Sequence, residues 1–413
     1  MPTVKHRQIA INTLAQLGGR FVSSALTFIA TLILAAHLGV AGFGEYTTAV
    51  SFLALFYVAA DLGMNPVFVS EAAGREKNKF AAFLGLRIAI SSGLIIIAIS
   101  VIWFLAKING GYGPGVVGGV IAGSASILAY ALYISATALF QIQSRYDKAA
   151  AAQILGSLTA TLLLLVYVGR GTAGVISGVL VVWTIGMTVT AGIALYLSRG
   201  GRDIIKIAVN PTRWRQIITT SLPVGLTLIF NMIYLRLGVL ILSAYRPSGD
   251  VGAYGLAYKF FEFALAVPAF FVNSVYPDLV GAKTIAILRH RLGLSFVTLL
   301  ILSLVVGSGF WVLAPLLGAV RGNFDRAVPL LRALTLFLPA FFLTSPLMGA
   351  FIILKKQQQL AAIYGIVAVI SILSSFWLIG KWGALGVVLL TGAAEIAVLV
   401  IGGGLLLNYL QEK

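Results

Sequence analysis

Cysteine is absent from all 413 residues, which rules out a disulfide framework and any thiolate metal site. Histidine is nearly absent: His6, His37 and His290 stand far apart, and no metal-ligand spacing joins them. Acidic residues are scarce too, with 12 Asp and Glu against 29 Lys and Arg, and charged residues of all kinds make up only 10% of the chain. So little charge beside 60% hydrophobic residues excludes a soluble packed globule. No phosphate-cradling glycine loop of the Walker type occurs, so ATP hydrolysis is not expected. The N-terminal stretch MPTVKHRQIAINTLAQLGGR has basic residues but no compact apolar core followed by a small-residue cleavage site, and it reads as an uncleaved cytoplasmic start. No catalytic residue, metal or cofactor is expected from this composition.

What the chain does have is apolar length. Mean hydropathy is +1.01. A helix needs about 20 residues to cross some 30 Å of hydrocarbon, and twelve segments of that kind emerge. The first six run roughly 9–36, 42–62, 82–106, 116–140, 150–168 and 175–198; the second six run roughly 222–244, 251–276, 293–317, 333–354, 361–380 and 384–407. Strand-type alternation in ten-residue units is missing, which excludes a membrane β-barrel. The fold class expected is an all-α polytopic membrane protein with about 12 transmembrane helices. The formal charge of +17 falls on basic residues scattered singly between apolar runs. It therefore argues against a nucleic-acid partner and for a membrane topology signal.

Cytoplasmic loops retain Lys and Arg. With the N-terminus inside, alternate connections place eighteen Lys and Arg inside and seven outside, so a protein of the cytoplasmic membrane with both termini in the cytoplasm is expected. Four cations remain within the spans: Arg20, Arg87, Arg236 and Lys259. The longest inside connection, 199–221, separates an N-terminal six-helix lobe, 1–198, from a C-terminal one, 222–413. With Ile204, Ile205, Ile207 and Trp214 among basic residues, this linker reads either as a segment along the membrane surface or as a solvated connection. The lobes also repeat. FGEYTTA at Phe43 aligns with VGAYGLA at Val251 at an offset of 208, and GTAGV at Gly171 aligns with GALGV at Gly383 at an offset of 212. Six helices followed by six in the same orientation imply a pseudo-twofold axis along the membrane normal, with a cavity between the halves.

These features carry a resemblance. The polar first helix, the stretch LGVAGFGEYTTAVSFLALFYVAADLGM before a basic loop, its echo GDVGAYGLAYKFFEFALAVP, and GAFIILKKQQQLAAIYGIVAVISILSSFWLIGKWGALGV near the end form one pattern. It is similar to the polysaccharide-biosynthesis flippases of the multidrug/oligosaccharidyl-lipid/polysaccharide exporter superfamily, over nearly the whole chain. The resemblance implies a non-enzymatic flippase that moves a polyprenyl-pyrophosphate-linked oligosaccharide from the cytoplasmic to the outer leaflet by alternating access. It further implies a monomer among membrane lipids and glycan polymerase or assembly proteins; Na⁺ or H⁺ coupling is read from this chain's own residues below, because the acidic residue that many relatives carry near the place of Arg236 is absent. Arg20 becomes the counterpart of cavity cations that relatives place in their first helix.

The residues themselves bear on that expectation. Asn12, Gln16, Arg20, Ser24, Thr27 and Thr31 fall on one face of a helix. An arginine at membrane depth costs at least ~2.5 kcal/mol and is rarely kept without use. Arg20, Gln16, Asn12 and Ser24 are therefore candidates for substrate binding, the alternative being a stripe that only hydrogen-bonds neighbouring helices. Arg87 is a further candidate or a snorkelling structural cation. Lys259 stands three residues before Glu262 and either meets substrate or is neutralised by that carboxylate. Arg236, about 140° from Asn231 around its helix, faces either the cavity or another helix. For ion coupling, Glu395, Thr391 and Asn231 offer oxygen ligands, and the competing reading pairs Glu395 with Arg236 or Lys259. Tyr46, Tyr254 and Tyr258 read as sugar-stacking or packing residues. On the outside, Arg321, Arg326 and Arg332 form either a basic vestibule or an amphipathic segment facing water.

Other classes fit less of the chain. An ion-coupled multidrug/cation antiporter of the same superfamily shares the expected fold but calls for buried carboxylates in the N-terminal half, where Glu45 and Asp61 lie near helix ends. A membrane glycosyltransferase or polymerase needs a base or metal ligands in an outer loop, and the outer loops offer only Asp250 and Asp325, far apart in sequence.

Overall fold

A computed structural model describes the backbone of residues 2–71, 76–108, 111–143, 145–171, 175–198, 207–282 and 284–411, with side chains except at 2–17, 20, 70, 71, 76–79, 227, 234, 273 and 277. Among the described residues all regular structure is helical. In chain order the helices are α1 (Pro2–Asp61), α2 (Met64–Glu71), α3 (Glu76–Lys107), α4 (Pro114–Gly123), α5 (Ser126–Ile142), α6 (Tyr146–Gly169), α7 (Ile176–Ser198) and α8 (Pro211–Tyr245). They continue with α9 (Ser248–Ala264), α10 (Ala266–Val280), α11 (Ile285–Leu313), α12 (Ala327–Thr335), α13 (Leu338–Ile353), α14 (Gln357–Trp382) and α15 (Ala384–Gln411).

Ten helical runs are long and apolar enough to cross a membrane, or eleven when the bent pair α12 and α13 is counted as one span. The first of them, Phe21–Val69, holds 49 residues and is interrupted at Gly39, whose φ of 67° and ψ of 177° no helix contains. It thus covers two of the twelve segments read from the sequence, and the chain is a multi-pass helical membrane protein. Broad apolar faces confirm the solvent it was built for: Leu294, Val297, Leu304, Val305 and Val312 of α11 all point outward, which in water would be an association hazard and in lipid is the required surface.

The chain forms two compact units, Met1–His37 with Thr48–Ile229, and Leu38–Thr47 with Phe230–Lys413. In the first, α7 packs against α4, α5 and α6, while α5 also meets α2 and α3. Part of the 199–221 linker, residues 199–206, lies outside the described residues. The rest docks on α3: the Ala208 amide donates to the Ala81 carbonyl at 3.1 Å, and the Trp214 indole donates to the Ala82 carbonyl at 2.9 Å. Ile217 then joins the core formed by Phe68, Phe80 and Phe83. Residues 211–221 are accordingly the first three turns of α8.

In the second unit, α15 packs against α9, α11, α12, α13 and α14, around a core that includes Leu347, Phe351, Tyr364 and Val398. The same unit contains a contact that the sequence repeat explains. A Cβ at Gly44 would overlap the Ser248 carbonyl oxygen, and one at Gly252 would overlap the Val40 carbonyl oxygen. Val40 and Ser248, like Gly44 and Gly252, are 208 residues apart, so the approach is reciprocal.

The internal packing of the units repeats as well. α7 lies against α6 and the broken pair α4/α5 as α15 lies against α14 and the broken pair α12/α13. The breaks fall at Ser124–Ala125 and at Leu336–Phe337, positions 212 apart, the same offset that relates Gly171 to Gly383. Those two glycines take positive φ, 71° and 55°, which side-chain-bearing residues resist.

Candidate functional site

Among the described residues, each unit contains a cluster of paired, buried or half-buried charge. In the first, α1 ends at Asp61, and the chain turns through Leu62 and Gly63, both at positive φ (45° and 67°). It resumes at once in α2, whose first turn presents Asn65. α3 brings Arg87 to the same point. Its Nη2 donates to Asp61 Oδ1 at 2.9 Å and to Asn65 Oδ1 at 2.7 Å. Asn65 is itself oriented by donating from Nδ2 to the Ile134 carbonyl of α5 at 2.9 Å. The Arg87 guanidinium also lies 4.9 Å from the Phe83 ring centre. Arg87 is wholly buried, so it does not reach back along its helix to water as a snorkelling cation would. Next to this pair, Tyr57 and Ser126 share a 2.6 Å hydrogen bond, and the Tyr57 and Tyr130 rings meet in a tilted contact at 5.1 Å. One arginine and one carboxylate leave the first cluster without net charge.

The second cluster carries an excess of positive charge. Arg236 on α8 and Lys259 on α9 both reach Glu262: Lys259 Nζ lies 2.8 Å from Oε2, and Arg236 Nη2 pairs with Oε1. Two cations on one carboxylate leave a surplus of +1, and the three side chains keep 20–28% of their surface open. The Arg236 guanidinium stands 5.4 Å from the Tyr258 ring, which stacks at 5.5 Å on Tyr254. Both tyrosines are buried, as is Tyr46, so their rings serve packing in this state. In the membrane interior, water does not screen such charges and their pairing is correspondingly strong.

A third group sits deeper in the second unit. Glu395 of α15 is 3% exposed and accepts a hydrogen bond from Thr344 of α13. Thr391, one turn earlier, is buried and donates to its own Val387 carbonyl at 2.9 Å. Asn231 of α8 is half-buried. Arg236 and Lys259 are both engaged by Glu262, and Glu395 lies within electrostatic range of Tyr258 and Tyr364. Among the described residues no three His, Asp or Glu side chains converge on a metal-sized site.

On the first helix the side chains of Asn12, Gln16 and Arg20 lie outside the described residues. Ser24 is half-buried, and Thr27 and Thr31 donate to the carbonyls of Ser23 and Thr27, each at 2.8 Å. Sequence reasoning did not bring Asp61 and Asn65 together with Arg87, nor Arg236 with Glu262. The turn chemistry of DLGMNP was the one local signal for the first of these; the second joins two helices and had none. Thr344 also went unnoticed.

A family model for polysaccharide biosynthesis proteins matches residues 9–281. Among solved structures, the chain is similar to the lipid II flippase MurJ in an inward closed conformation, with a TM-score of 0.75, 17% identity, and coverage of 93% of this chain and 85% of that one. It is equally similar to an inward-facing multidrug resistance MATE family transporter of the MOP superfamily, with a TM-score of 0.75, 15% identity, and coverage of 97% and 99%. A MOP superfamily transporter from Pyrococcus furiosus, described for the reversed polarity of its binding pocket, matches with a TM-score of 0.63, 14% identity, and coverage of 97% and 95%. A comparison with curated proteins finds no match. The structural likenesses establish the fold; the family model, spanning well over half of the sequence, establishes that the chain belongs to the polysaccharide biosynthesis protein family.

Proposed function

We propose that this protein is a flippase for a lipid-linked oligosaccharide, moving a polyprenyl-pyrophosphate glycan from the cytoplasmic to the outer leaflet by alternating access. The observation that carries this reading is the Arg236–Glu262–Lys259 cluster, where one carboxylate holds two cations and an anion completes the balance. Arg presents a planar fork that matches phosphate oxygens, and in a low-dielectric site such pairing is stronger than at a free surface. In this reading the residues that meet the head group are Arg20, on one helix face with Asn12, Gln16 and Ser24 of the N-terminal lobe, 1–198, and the cations Arg236 and Lys259 of the C-terminal lobe, 222–413. Arg87, already held by Asp61 and Asn65, fixes the elements around it. Glu395, bonded by Thr344 and one turn after Thr391, is the coupling group for Na⁺ or H⁺, with Asn231 as a further oxygen ligand. The protein works as a monomer in the cytoplasmic membrane with both termini inside, and hands its cargo to polymerase or assembly proteins.

A strain lacking the gene should accumulate lipid-linked glycan in the cytoplasmic leaflet. The wild-type chain should clear it and an equally abundant Arg236→Ala chain should not. Absence of accumulation in the deletion strain would sink the proposal. The alternative reading, an ion-coupled multidrug antiporter, draws on the likeness to the MATE transporter across 99% of that chain. It predicts gradient-driven efflux of cationic dyes instead.

A further inference from the structure

Away from these clusters, the second unit has a groove of about 300 Å³ between α11 and the bent pair α12/α13, lined by Ser303, Gly307, Trp311, Thr335, Leu336 and Pro339 among others. Its floor is recessed and polar: Ser303 is 1% exposed and Thr335 6%. Its rims, Leu304, Val312 and Leu336, are outward-facing and apolar. The depth comes from two features. The helices α12 and α13 bend by 46°, and Pro339 has no N–H to return to the Thr335 carbonyl. Gly307 is not there to let helices touch, because a Cβ would stand 3.6 Å from both Leu338 Cδ1 and the Thr335 oxygen, an ordinary contact. What the missing side chain leaves is space. At one end of the groove, the Arg332 guanidinium lies 5.5 Å from the Trp311 ring. Arg332 has no ion-pair partner among the described residues, and its Nε is buried without an acceptor. By contrast, neighbouring Arg326 is engaged by Asp250 at 3.0 Å.

We propose that this groove is a binding site for an anionic phospholipid, with one acyl chain lying along α11 over Gly307 and the phosphodiester at Arg332. The surroundings select the occupant. The rims face hydrocarbon, so a lipid chain fills a groove that water cannot stabilise. A tryptophan and an arginine together mark the head-group level of a membrane span. The cation calls for an anion, and Arg332, which no carboxylate among the described residues neutralises, favours an anionic lipid over a zwitterionic one. The assignment to the outer leaflet follows from the topology proposed above; the site itself does not depend on the transported cargo.

Trp311 is a built-in reporter. The protein is placed in nanodiscs of zwitterionic lipid with a minor fraction of brominated phosphatidylglycerol or brominated phosphatidylcholine. Quenching lost in Trp311→Phe is assigned to the groove. The site predicts that phosphatidylglycerol quenches Trp311 with about fivefold higher affinity, the effect of one arginine beside an anionic head group. The preference should disappear in Arg332→Gln, survive in Arg332→Lys, and quenching itself should fall in Gly307→Leu, which fills the groove. Equal quenching by the two lipids, or a preference untouched by Arg332→Gln in a normally folded protein, overturns the proposal and leaves only ordinary lipid contact.

Discussion

Arg87 poses the sharpest question at the residue scale, because it is fully buried and yet charged. Its stability rests on Asp61 and Asn65, so removing the countercharge is worse than removing both charges. Asp61→Ala should destabilise the solubilised protein by about 3–5 kcal/mol, whereas Asp61→Ala with Arg87→Met should recover most of that loss. Thermal unfolding in detergent checks this, and additive damage in the double variant contradicts it. Arg20 is the opposite case, argued from function. Arg20→Lys should transport weakly, since the fork is lost, while Arg20→Ala should reach the membrane in normal amount and fail to export glycan. Normal export by Arg20→Ala rejects the binding role, and its disappearance from the membrane points to a structural one. The i, i+3 pair Lys259–Glu262 was legible in the sequence because both residues lie on one helix. The bond from Arg236 to the same carboxylate was not, since it joins α8 to α9 and no local pattern encodes which faces meet. Asp61 and Asn65 were obscured for a similar reason: they stand either side of a left-handed turn that redirects the second onto α3.

At the scale of elements, glycine does two separable jobs. Gly44 and Gly252 permit a close crossing, and alanine at either position should cost about 1–3 kcal/mol through overpacking against a carbonyl that cannot swing away. Gly171 and Gly383 supply positive φ, so alanine there is penalised by backbone strain, roughly 1–2 kcal/mol, whatever the space around it. Gly93 in mid-α3 has no atom within 4 Å of an added Cβ, and Gly93→Ala should be neutral or stabilising by up to about 1 kcal/mol. Melting temperatures of the five single variants check the set, and a Gly44→Ala protein as stable as Gly93→Ala contradicts the crossing. The existence and order of the spans were legible because some twenty apolar residues in a row admit few other readings. The break inside α4/α5 was hidden, since no proline stands near Ser124–Ala125, and the one inside α12/α13 was passed over despite Pro339, because a hydropathy window averages across a short interruption. The helical start of α8 inside the linker was hidden too, because its Arg213 and Arg215 make that segment look solvated.

For the whole molecule, the repeat was the most far-reaching signal, and its two offsets, 208 and 212, reappear in the reciprocal glycine contact and in the paired helix breaks. Topology is checked from outside the cell: cysteines at Gly111 and Ser248 should react with an impermeant thiol reagent and ones at Lys77 and Gln357 should not, and reversed labelling inverts every depth assigned here. The flippase reading itself is tested most directly by reconstitution. Vesicles containing the purified protein and a fluorescent lipid-linked oligosaccharide in one leaflet should show protein-dependent appearance of the glycan on the other, at least about tenfold slower with Arg236→Ala, as expected for loss of a charge-assisted contact worth some 1.5–3 kcal/mol. Vesicles that leave the glycan where it started, while driving a cationic dye across in response to a Na⁺ or H⁺ gradient, would contradict it.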